Sequence, residues 1–203
     1  MLLSFISILS PLFPILLGAK RNRRSYIWWY AWAGMIADLV VFFLKHICKQ
    51  PTAWVSNVFV ITEFVLILLY FSAKVFRFKI FPLLVMMGTG LIFFAFTTFY
   101  FKGPFKVNLI GISVLNVIYI ILCVLGYYRI LKEQQIVHLE KYSGFWIISG
   151  IFIYASGSFF LFLEADALTA VNAKLMMMFW LSLFAPLNTL KNILLGIGLS
   201  KSE

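Results

Sequence analysis

Acidic residues are scarce in this chain: Asp and Glu together number 7 among 203 residues, against 17 Lys and Arg. Charged residues of both signs make up only 12%. A soluble domain carries about a quarter, so an ordinary water-facing surface is excluded. Histidine and cysteine are also rare, at 2 each. Cys48 lies near a helix end and Cys123 within an apolar run, which gives neither a disulfide framework nor a zinc motif. His46 and His138 fall on opposite sides of the topology derived below and cannot share a metal. There is no Walker loop, GxGxxG, HExxH or CxxC. Gly157-Ser158 lacks the further glycine and the sheet context of a nucleophile elbow and reads as helix packing.

What is present is hydrocarbon. The chain is 63% hydrophobic with 23 Phe, and its mean hydropathy is +1.00. This composition belongs to an integral membrane protein whose first partner is the lipid bilayer. A net charge of +10 would suggest nucleic acid in a soluble protein. Here the basic residues sit between apolar runs and set orientation, so no nucleic-acid partner is expected.

A helix needs about twenty apolar residues to cross the hydrocarbon core. Seven segments qualify: 2–19, 26–46, 53–73, 79–101, 107–130, 144–164 and 174–199. The expected fold is an all-α, polytopic seven-helix bundle forming a single domain over 1–203. Lys20, Arg21, Arg23, Arg24, Lys74, Arg77, Lys79, Arg129, Lys132, Lys141 and Lys201 lie on one side of it. Lys45, Lys49, Lys102, Lys106 and Lys174 lie on the other. The richer side is cytoplasmic, which places the N-terminus outside and the C-terminus inside. The first run carries its positive charge after the apolar stretch, the reverse of a signal peptide, and is expected to stay as a span. Pro11 and Pro14 make it irregular. Trp28, Trp29, Trp32, Trp54 and Trp146 fall near span ends, as interface anchors do.

Three ionisable groups lie well inside spans: Asp38, Glu63 and Lys191. At about 1.5 Å per residue, each sits about 12–15 Å from its nearer surface. Such residues usually face the bundle interior and mark a function or a partner. Glu63 is the most informative, because no escape to an interface is open to it. It must be neutral, paired or lining a wet cavity. Lys191 either pairs inside or snorkels to the interface, and Asp38 either pairs with Lys45 or is neutral.

Helical spacing adds neutral polar groups. Ser56, Glu63 and Tyr70 share one stripe, as do Asn108, Ile112, Asn116 and Tyr119. Ser149, Ser156 and Gly157 lie close to one face of the sixth span, with Tyr154 nearby. Ala185, Asn188 and Asn192 form a stripe in the seventh with Lys191 beside it, and Pro186 should loosen that helix and free the Ser182 carbonyl. Gly34 and Asp38 share a small-residue face. Asp38, Glu63, Asn116, Tyr119, Ser156, Asn188 and Lys191 form the expected intramembrane polar cluster. The plainer reading of Asn116, Ser156 and Asn188 is hydrogen bonding between neighbouring helices.

The outside N-terminus, a lysine in the seventh helix and a carboxylate in the third together resemble the microbial rhodopsins. That resemblance implies retinal on Lys191 with Glu63 as counterion. Leu187 stands where the family has Asp, no Arg precedes Glu63 by a turn, and WIISGIFIY at 146–154 replaces the family's Trp-x-x-Tyr-Pro, so retinal is not the favoured cofactor. The segments SNVFVITEFVLILLYF, SGFWIISGIFIYASGSFFLFL and NTLKNILLGIGL resemble an uncharacterised group of small seven-helix membrane proteins from Gram-negative bacteria. This implies the bacterial inner membrane and points to Glu63, Trp146, Tyr154, Lys191 and Asn192.

The function expected is a sensor-like or accessory membrane protein that binds a small or lipidic ligand, or partner helices, within the bundle. Its bare loops would pass any output to another membrane or cytosolic protein. The inner loop ILKEQQIVHLEKYS could dock such a partner, though a solvated connector is the plainer reading. The alternatives are a small transporter or channel using Glu63 and Lys191, and an intramembrane enzyme with Glu63 or Asp38 as acid or base. The enzyme ranks below because no nucleophile or metal motif accompanies the carboxylates.

Overall fold

The computed structural model describes residues 2–19, 25–76, 80–103, 106–133 and 139–201. The basic cluster at 20–24, Arg77, Lys79, His138 and the centre of the expected partner-docking loop lie outside these residues. Among the described residues the chain is helical, with no strand. The helices are α1 (Leu2–Leu9), α2 (Leu12–Gly18), α3 (Tyr26–Phe43), α4 (Ala53–Tyr70), α5 (Ile80–Thr97), α6 (Leu109–Glu133), α7 (Ser143–Val171), α8 (Ala173–Phe179) and α9 (Ala185–Ser200). Turns of wider, π-helical pitch extend α3, α4 and α5 and join α8 to α9.

Six helical segments are long and apolar enough to cross a membrane: Tyr26–Cys48, Ala53–Phe76, Phe81–Tyr100, Leu109–Lys132, Ser143–Val171 and Lys174–Ser200. The chain is therefore a multi-pass, membrane-embedded helical protein. The first expected span differs from the rest. It is split into α1 and α2 at Ser10-Pro11, where proline removes a backbone donor. At the break the Ser10 hydroxyl donates back to the Ser7 carbonyl of α1, at 2.7 Å. Its longest apolar helical stretch, Ile6–Gly18, is shorter than a full span.

The sixth span continues past its expected end at 164 to Val171. The seventh is not one uniform helix: its π-helical turn covers Trp180–Phe184, immediately before Pro186. Proline cannot donate to the carbonyl four residues earlier, so the irregularity expected around Ser182 appears as this wider turn.

Helix α7 forms the spine, packed on α6 along one side and α9 along the other, while α3 pairs with α4 and α2 with α9. Two glycines bring α7 and α9 together. A Cβ on Gly150 would stand 3.1 Å from the Lys191 carbonyl, and one on Gly198 would stand 3.1 Å from the Ser143 carbonyl. Removing those Cβ atoms lets the backbones approach, and the Ser143 hydroxyl donates to the Gly198 carbonyl at 2.8 Å. Lys191 is thereby fixed against the spine. Gly157 and Ser158 are packing residues as expected: a Cβ at 157 would meet Leu187 at 2.6 Å.

Candidate functional site, a polar cavity within the bundle

Lys191 and Glu63 are both buried, with 4% and 6% of their surface exposed. They are not in direct contact. Tyr30, on α3, stands between them with its hydroxyl in the path. The Lys191 ammonium donates to the Tyr30 oxygen at 2.5 Å, and the Tyr30 hydroxyl donates to Glu63 Oε1 at 2.8 Å. The ammonium also lies 4.0 Å from the centroid of the Tyr154 ring and 5.1 Å from that of Tyr30. A buried charge is costly unless paired and hydrogen-bonded. The tyrosine supplies a hydrogen bond to each charge, and two aromatic faces add cation–π attraction to the lysine. Lys191 therefore points inward rather than to the interface.

Above this relay lies a cavity of about 510 Å³. Residues from α1, α3, α4, α6, α7, α9 and the turn before α9 line it. Six members of the expected cluster border it: Asp38, Glu63, Asn116, Tyr119, Asn188 and Lys191. Ser156 does not. Its hydroxyl donates to the Phe152 carbonyl of its own helix at 2.7 Å, a common resting place for an intrahelical serine. The serine that meets Asn116 is Ser158, two residues on: Asn116 Nδ2 donates to its oxygen at 3.2 Å.

Asp38 is half-buried on the cavity wall. Lys45 and His46 are exposed on the wall's far end, at the close of the α3 segment. No ion pair joins Asp38 to Lys45 among the described residues, so the pairing considered from their spacing does not form. Tyr119 is 2% exposed, and its shielded hydroxyl has no hydrogen-bond partner among the described residues. Buried polar groups are nearly always paired, which makes this hydroxyl an unmet hydrogen-bonding group within the wall.

Asn188 and Asn192 act on the N-terminal segment. Asn188 Nδ2 donates to the Ser7 hydroxyl at 3.0 Å and Asn192 Nδ2 to the Ser10 hydroxyl at 2.6 Å. One turn apart on α9, they hold Ser7 in the last turns of α1 and Ser10 at the α1–α2 break. Ser7, Ile8 and Pro11 consequently form part of the cavity wall.

The aromatic side of the cavity comes from the irregular turn. The Trp180 and Phe184 rings stack with centroids 4.1 Å apart, and Phe162 and Tyr154 meet Phe184 edge-on at 5.5 and 5.8 Å. A further polar knot, Asn57–Asn108–Thr97–Thr98, lies elsewhere. Asn108 Nδ2 donates to the two threonine hydroxyls at 2.7 and 2.8 Å, and its backbone N–H donates to Asn57 Oδ1 at 3.1 Å. Together with the Lys106 and Phe94 carbonyls and the Gly111 N–H, this knot secures the start of α6.

Tyr30 and Trp180 were not among the expected cluster. Tyr30 carried a readable signal, since Tyr30, Gly34 and Asp38 recur every four residues on one helix face. A tyrosine four residues into an apolar span reads equally as an interface anchor. Trp180 had no comparable signal. Comparison with protein-family models, curated proteins and solved structures found no match for the chain, so neither family resemblance gains support from them.

Proposed function

We propose that this protein is a sensor-like or accessory membrane protein that binds a small amphipathic ligand inside its helical bundle. The carrying observation is the cavity of about 510 Å³, which has a polar floor at Lys191–Tyr30–Glu63 and apolar aromatic walls. Small-molecule pockets occupy about 300–1,000 Å³ and combine apolar lining with a few placed polar groups. The distribution of Lys and Arg supports an N-terminus outside and a C-terminus in the cytoplasm. In that orientation the Lys45–His46 end of the cavity faces outward. The resemblance to small bacterial membrane proteins favours the cell inner membrane, and output would pass to a membrane or cytosolic partner.

Native mass spectrometry of the full chain in nanodiscs tests the reading. The wild type should retain an added small-molecule mass from its source membranes. Gly34→Leu, which extends a side chain from the cavity wall beside Phe59, should lose it while keeping its helical content. Equal retention by both proteins would overturn the assignment to this cavity.

One observation favours a second reading, a small transporter. The last span changes pitch at Trp180–Phe184, beside the cavity, and discontinuous helices accompany transport sites. Uptake of a solute into liposomes, abolished in Glu63→Gln, would establish it over the binding reading.

A further inference from the structure

We propose that the cavity selects a cationic amphiphile: an amine head group on a compact apolar body, with the ammonium held between Asp38 and the Tyr119 hydroxyl. The inference deepens the ligand-binding reading above and rests on it.

The charges inside the bundle decide the sign of the ligand. Lys191 is partly engaged, since its ammonium bonds Tyr30 at 2.5 Å and faces the Tyr154 ring at 4.0 Å. Through Tyr30 it is matched to Glu63, whose Oε1 accepts at 2.8 Å. Both residues nevertheless border the cavity, and Lys191 keeps two N–H donors beyond the one spent on Tyr30. Asp38 is the second carboxylate of the wall, half-buried, with no hydrogen bond or ion pair among the described residues and with Lys191 as the cation whose charge acts on it; with all three ionised, two carboxylates face one ammonium and the interior carries one excess negative charge. An anionic head group would enter beside two carboxylates against one ammonium.

Hydrogen-bond chemistry points the same way. An ammonium offers only donors, so it needs acceptors. Asp38 supplies carboxylate oxygens. Tyr119 supplies an oxygen with no present partner. Asn116 uses its amide N–H on Ser158 at 3.2 Å, which leaves its carbonyl oxygen as a third acceptor on the same wall.

The apolar walls suit a cation as well. Phe59, Tyr154, Trp180 and Phe184 border the space, and aromatic faces attract ammonium groups most strongly where water is excluded. Lys45 and His46 also line the outer end, but both are exposed. Solvent and salt screen exposed charges over about 8–10 Å, so the mouth does not set the preference of the interior.

Three probes with one skeleton test the sign directly: adamantan-1-amine, adamantan-1-ol and adamantane-1-carboxylic acid. Binding to the purified full chain in nanodiscs is measured by isothermal titration calorimetry, with empty nanodiscs as the partition control. The amine should bind at least tenfold more tightly than the acid. Asp38→Asn should cost the amine at least tenfold while leaving the alcohol within about twofold, and Asp38→Glu should restore most of the loss. Tyr119→Phe, which removes no packing volume beyond one oxygen, should weaken the amine by a smaller factor.

Equal binding of all three probes, a preference for the acid, or an unchanged amine affinity in Asp38→Asn would each overturn the cation assignment. If no probe binds while Gly34→Leu still expels a co-purified amphiphile, the amine inference fails and the cavity reading stands. If no probe binds and nothing is expelled, both fail.

Discussion

The Tyr30 hydroxyl accepts a hydrogen bond from Lys191 and donates one to Glu63, at 2.5 and 2.8 Å. A single phenol thus joins α3, α4 and α9 at the floor of the cavity. The arrangement gives Glu63 and Lys191 a hydrogen bond each within an apolar bundle without their touching each other.

Breaking that relay should be costly. Removing one partner of a buried charge pair costs about 3–5 kcal/mol, because the other charge is left uncompensated. Lys191→Met and Glu63→Gln should each lower the thermal midpoint of the detergent-solubilised protein markedly. The double variant Glu63→Gln/Lys191→Met should be more stable than the sum of the two losses, by about 0.5–3 kcal/mol of coupling. Additive losses would show that the two groups do not act through Tyr30.

Tyr119→Phe should behave in the opposite sense. Its hydroxyl is buried without a partner, and an unsatisfied buried group costs about 1–3 kcal/mol. The ligand-free variant should therefore match or exceed the wild type in thermal stability. A clear loss of stability would mean that the hydroxyl has a partner within the bundle.

Asn188 and Asn192 hold the broken N-terminal segment by its serines. Interhelical hydrogen bonds in membranes are worth about 0.6 kcal/mol on average, so Asn188→Ala/Asn192→Ala should leave the fold intact while loosening α1 and α2. Hydrogen exchange should rise at Ser7–Gly18 and stay unchanged in α6 and α7. Unaltered exchange at Ser7–Gly18 would mean that apolar contact with α9 alone retains the segment.

Cys48 is exposed at the end of the α3 segment and Cys123 is fully buried in α6. With the N-terminus outside, a membrane-impermeant maleimide added to intact cells should label Cys48, and Cys48→Ser should abolish the signal. Labelling only after the membrane is opened would reverse the orientation.

The sequence determined the class of this protein and where most of its membrane-crossing helices lie, because hydrocarbon thickness imposes a length and scarcity of charge imposes a composition. It also marked Asp38, Glu63 and Lys191, since an ionisable group far from either interface is conspicuous by its energy alone. Periodicity placed Asn116, Tyr119 and Asn188 on interior faces, and it placed Ser156 near one too. Both serine hydroxyls donate to the carbonyl four residues back on α7, and only the packing of α6 on α7 decides that the Ser158 oxygen is the one Asn116 reaches. The first span was legible as apolar and irregular from Pro11 and Pro14, while the contacts of Asn188 and Asn192 with its serines were not. Only the tertiary structure decided that Tyr30 would bridge Lys191 and Glu63. Three residues on three helices met there because helix packing, set by the close approach of α7 and α9 at Gly150 and Gly198, fixes the distances that a linear pattern of polar residues leaves open.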